Sequence, residues 1–132
     1  MKTLARVLPG ILGFAFLVAG LLFMFNPGAE AVLERLQLTP EGIAGWAAIR
    51  SFIGGTLVGM AMLLVHGAVK SEAKPVLMVA IWLAAAVIGR LVGLVLDGVD
   101  STVIGPVVIE IVLVAILAFS YRNIEESDTA PS

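Results

Sequence analysis

Residues 75–96 read PVLMVAIWLAAAVIGRLVGLVL, and Arg90 is the only charge among them. Crossing the hydrocarbon core of a bilayer takes about 20 apolar residues, because that core is about 30 Å thick and an α-helix rises about 1.5 Å per residue. The stretch is long enough to cross, and a proline opens it. Three other runs share its character. One extends over 4–25 and stops at Asn26-Pro27-Gly28, a strong turn signal. One extends over 41–65 with Arg50 inside it, and one over 102–121 with Glu110 inside it. With 60% hydrophobic residues and a mean hydropathy of +1.08, the chain lies well above soluble domains, which average about 45–50% apolar.

The expected fold is all-α: a four-helix transmembrane bundle in one domain, residues 1–121, followed by an acidic tail, 122–132, expected to be disordered. Residues 29–38 alternate charges with Val32, Leu33 and Leu36. They fit a short amphipathic helix lying at the interface in the first outer loop. Thr39 is placed to cap the second helix, with Pro40 and Glu41 in its first turn. Residues 66–74 read as a polar hinge, 97–101 as a tight turn, and Pro106 as part of the first turn of the fourth helix. A cleaved leader is the competing reading of the N-terminus, with Ala29-x-Ala31 as the cleavage site. The first run exceeds the 7–15 residues of a leader core, so a retained helix is expected.

Basic residues near the helix ends set the orientation. Lys2, Arg6, Lys70, Lys74 and Arg122 fall on one side and Arg35 alone on the other. Both termini and the second loop are therefore expected in the cytoplasm, with the protein in a bacterial inner membrane. The net charge of −2, without any basic stripe, argues against nucleic-acid binding. Having no cysteine removes disulfides, thiolate metal sites and thiol catalysis. His66 is the only histidine. It reads as a solvated loop residue rather than a haem ligand, and neither metal nor cofactor is expected. Trp46 and Tyr121 stand near helix ends, as interfacial anchors do, and Trp82 is expected to be a deeper packing residue.

The intramembrane charges carry the functional reading. Helix direction puts Arg50, Arg90 and Glu110 in one layer, with Asp97 just above it. Arg90, Gly93, Leu94 and Asp97 share a face of the third helix, and Arg50 and Gly54 a face of the second. An arginine at mid-helix costs about 2.5–3.5 kcal/mol on insertion scales, so Glu110 is the expected counterion. Two arginines against one carboxylate leave excess positive charge for Asp97, an anionic ligand or a lipid headgroup. The alternatives are snorkelling to the interface and a purely structural ion-pair network. Ser51, Gly55 and Gly59 on the second helix, and Gly89 and Gly93 on the third, form small-residue faces. These are expected to pack within the bundle or in a homo-oligomer.

Arg50-Ser51-x2-Gly54-Gly55-x3-Gly59, Gly89-Arg90-x2-Gly93-x3-Asp97-Gly98 and Glu110 together resemble a family of small bacterial four-helix membrane proteins catalogued only as a domain of unknown function. The resemblance implies a compact inner-membrane bundle. It implies no activity and no catalytic residues. The two arginine motifs look alike, but they lie on helices of opposite direction and are not evidence of duplication. Two functions are open at this level. One is a non-enzymatic accessory or scaffold subunit of a membrane complex. The other is a protein that binds or transports a small molecule, anion or lipid with Arg50, Arg90, Glu110 and Asp97. The expected partners are the lipid bilayer, another membrane protein or a second copy of the chain.

Overall fold

The structure is a computed structural model, and it describes residues 2–26, 40–99 and 101–128. It is all-helical among the described residues. We number the helices α1 (Lys2–Phe25), α2 (Gly42–Lys70), α3 (Ala73–Leu96) and α4 (Ser101–Asp128). Each contains a segment long and apolar enough to cross a membrane.

Among the described residues the helices close a ring: α1 packs on α2 and α4, and α3 packs on α2 and α4. The closest unions are α1 with α2 and α3 with α4. The seam between α1 and α2 runs antiparallel over glycines. A Cβ added at Gly13 would stand 3.1 Å from the Ala61 carbonyl oxygen and 2.9 Å from a Val65 methyl. One added at Gly20 would stand 2.9 Å from both the Gly54 carbonyl oxygen and the Val58 amide nitrogen. Only hydrogen fits at these points, and that is what brings the two backbones together.

The core sits in the half of the bundle nearer the termini. Ala5, Met60, Leu64, Val76, Val79, Leu83, Leu117 and Ile124 are buried against one another there, with Leu12 and Phe16 packed alongside. Toward the α3–α4 turn the two hairpins share little. The stretch Ile49–Gly55 of α2 packs on α1 but makes no substantial contact with α3. That stretch is wound as a π-helix, a form that occurs mostly as short bulges inside α-helices.

Several helix ends differ from the sequence expectation. Instead of stopping at residue 65, α2 runs to Lys70, and the hinge shrinks to Ser71 and Glu72. Falling hydropathy marks where the hydrocarbon ends, and a helix can continue past that point. Lys70 also favours the negative end of the helix dipole. What stops α2 is Ser71, at φ 61°, and the Glu72 N–H then donates to the Gly67 carbonyl at 3.0 Å. Gly67 is required here, because its Cβ would meet the Glu72 carbonyl oxygen at 2.9 Å. The tail expected to be disordered is helical through Asp128. No glycine or proline interrupts it there, Ile124 is buried, and Asn123 Nδ2 donates to the Phe119 carbonyl at 2.9 Å.

At the other helix starts, Pro40 and Glu41 precede α2, which begins at Gly42 with φ 60°. α4 begins at Ser101, so Pro106 lies in its second turn. The expected interfacial helix at 29–38, the cap at Thr39, and residues 129–132 lie outside the described residues.

Candidate functional site

Burial along α3 recurs at Val76, Val79, Leu83 and Val87, and along α4 at Val107, Leu117 and Ile124. Arg90 is three residues beyond Val87 and seven beyond Leu83. Glu110 is three beyond Val107 and seven before Leu117. Both charges therefore occupy core-facing positions of their helices. Their helices also aim them at each other. Cα–Cβ bonds tilt toward a helix N-terminus. Arg90, on α3, thus leans away from the turn end of the bundle, and Glu110, on antiparallel α4, leans toward it. Counted from the helix ends, Arg90 stands about 10 Å and Glu110 about 13 Å below the α3–α4 turn, so the side chains converge.

They meet in an ion pair. Arg90 Nε donates to both Glu110 Oε1 and Oε2, each at 3.0 Å. The side chain of Glu110 is 16% exposed and that of Arg90 43%. Nε is the only nitrogen of Arg90 used in this pair. Among the described residues neither Nη group has an acceptor. The arginine is held side-on, and its planar fork of four N–H donors is left open.

The expected four-residue cluster is not assembled. Arg50 is exposed on α2 and makes no ion pair among the described residues. Its depth, about 12 Å below Gly42, matches that of Arg90, but its helix packs on α1 at this level and not on α3. Asp97 folds back over its own helix: its N–H bonds the Gly93 carbonyl at 2.8 Å, and its Oδ2 lies 3.7 Å from where a Gly93 Cβ would be. Neighbouring Ser51 uses its hydroxyl to donate to the Ala48 carbonyl at 3.3 Å.

The predicted packing glycines are not the ones that pack inside this chain. A Cβ at Gly59 or Gly89 would have nothing within 4 Å, and one at Gly55 would meet only the Arg50 carbonyl oxygen at 3.9 Å. The glycines buried in the bundle are Gly13, Gly20, Gly54 and Gly67. Gly13 and Gly20 stand seven residues apart on α1, and that heptad spacing was the available signal. Trp82, expected to be a packing residue, is 59% exposed. It forms one wall of a laterally open groove of about 340 Å³ between α2 and α3, with Thr56, Gly59, Met60, Leu63, Met78 and Val79. His66 lies within α2 rather than in a loop, and its Nε2 is 3.4 Å from Glu72 across the turn.

The site can do two things chemically. It ties α3 to α4 inside an apolar environment, and it presents a guanidinium fork on the face of α3 that continues the core. No curated protein and no solved structure matches this chain. One comparison does match: the chain belongs to the family described as a domain of unknown function (DUF4345), whose model matches residues 4–121.

Proposed function

We propose that this multi-pass protein is a non-enzymatic accessory subunit of a bacterial inner-membrane complex, with both termini in the cytoplasm, and that it receives a transmembrane helix of its partner on the α2–α3 face. One observation carries the reading. The glycines of the arginine motifs, Gly59 and Gly89, face open space, and nothing of this chain packs on them among the described residues. Met78, Trp82 and Gly89 fall on one face of α3 at helical spacing, and Gly55 and Gly59 on the adjoining face of α2. Small residues beside a groove are how membrane helices let a neighbouring backbone approach. The Arg90–Glu110 contact also ties α3 to α4 without any help from Arg50.

The test is gentle solubilisation from native membranes followed by affinity capture. A different membrane protein is expected to co-purify, and to be lost when Gly59→Leu and Gly89→Leu fill the face. Recovery of the chain alone, or only with copies of itself, would sink the accessory role. Orientation is checked separately. Because the chain has no cysteine, single cysteines at Thr3 and at Val99 report on opposite ends. Labelling of Val99→Cys, but not Thr3→Cys, by an impermeant reagent on intact cells is expected.

A further inference from the structure

We propose that the Arg90–Glu110 pair is a binding site for a monoanionic phosphate group, supplied either by the headgroup of an anionic phospholipid or by a free phosphate compound. Glu110 is the positioning residue and Arg90 the ligand-binding one.

Three observations lead there. The first is geometric. Both Glu110 oxygens are 3.0 Å from Nε, so the carboxylate fixes the guanidinium plane and leaves Nη1 and Nη2 without acceptors among the described residues. Guanidinium forks bind phosphate and carboxylate through two parallel N–H···O bonds, and a fork already held in place loses less freedom on binding.

The second concerns solvent. Arg90 is 43% exposed although it sits on the core-facing stripe of α3. Its Cα–Cβ bond tilts away from the α3–α4 turn and its Nε is held by Glu110, so the guanidinium is kept away from the nearer helix ends. Donors in an apolar layer are costly unless an acceptor meets them.

The third is charge. At this level of the bundle the charged side chains within the described spans are Arg50, Arg90 and Glu110; Arg90 and Glu110 cancel, and the layer's excess of +1 is carried by Arg50 on the separate α2 stretch. A monoanion brings the layer to neutrality, whereas a zwitterion leaves the excess in place. A phosphodiester has one negative charge shared by two non-bridging oxygens, which suits the fork. It is also the oxyanion that the surrounding bilayer carries.

The experiment uses the purified full-length chain in neutral detergent. Retention of added phosphatidylglycerol and phosphatidylcholine is read by native mass spectrometry, and thermal stability is read with each lipid and with inorganic phosphate. Wild type is expected to retain phosphatidylglycerol about tenfold more than phosphatidylcholine, or to be stabilised by inorganic phosphate. Arg90→Lys keeps the charge against Glu110 but removes the fork, and is expected to lose about tenfold in that retention or stabilisation. Displacement of the lipid by inorganic phosphate identifies a free anion as sufficient; persistence of the lipid identifies the headgroup with its chains. The proposal is overturned if wild type neither prefers the anionic lipid nor responds to phosphate. It is equally overturned if Arg90→Lys binds as wild type does. Should Arg90→Lys fail to fold, the wild-type comparison decides alone.

Discussion

Replacing Gly20 by alanine, beside the same change at Gly59, tests the helix packing most directly. Both glycines are inside helices, so each substitution gains about 1 kcal/mol of helix propensity. That gain cancels when the two variants are compared. What remains is the methyl group. At Gly59 it enters open space. At Gly20 it lies 2.9 Å from the Gly54 carbonyl oxygen, 2.9 Å from the Val58 amide nitrogen and 2.8 Å from a Val58 methyl. Two of those atoms are backbone on the facing helix, so no rotamer change relieves them. α1 and α2 must separate by about 0.5 Å to reach ordinary contact, and the packing all along the seam loosens with them. Overpacking of a filled interface costs about 1–3 kcal/mol, and the rigid opponents argue for the upper end. Gly20→Ala should therefore be less stable than Gly59→Ala by about 3 kcal/mol, or about a hundredfold in the unfolding constant. The assay is reversible unfolding in mixed micelles of increasing denaturing-detergent fraction, read by far-UV circular dichroism and tryptophan fluorescence. Equal stability of the two variants would refute the tight seam, and greater damage at Gly59 would reverse the assignment of packed and open glycines.

Glu110→Gln leaves Arg90 without its counterion. Because Arg90 is partly exposed, the loss should be about 1–3 kcal/mol rather than the 3–5 kcal/mol of a fully buried broken pair. The same unfolding assay measures it, and the double variant with Arg90→Met should recover part of the loss. Ser120 is fully buried, and its hydroxyl has no partner among the described residues. Ser120→Ala should therefore raise stability by about 1 kcal/mol, and a clear loss instead would mean that the hydroxyl is bonded in the membrane.

Much of this protein can be read without coordinates. Dehydration is a property of a segment, and a lone run such as 75–96 can cross a bilayer only as a helix, because its backbone polar groups have no other way to be satisfied within the segment in lipid. The pairing of Arg90 with Glu110 was legible for a similar reason. Depth follows from counting along the chain, and two opposite charges at one depth avoid a large cost by meeting. Helix ends were less legible, since hydropathy marks the edge of the hydrocarbon and not the end of the hydrogen bonding, as Lys70 and the helical residues after Tyr121 demonstrate.

Rotation about each helix axis was not legible at all. Gly54 and Gly55 are adjacent in one motif, yet Gly54 is pressed against Met24 and Gly55 meets little beyond its own helix. Arg50 has the same depth as Arg90 but lies on a helix whose π-wound stretch packs on α1. Composition and depth are set residue by residue along the chain. Which face of a helix turns inward is set by the side chains of the neighbouring helices, and these come together only when the bundle has formed.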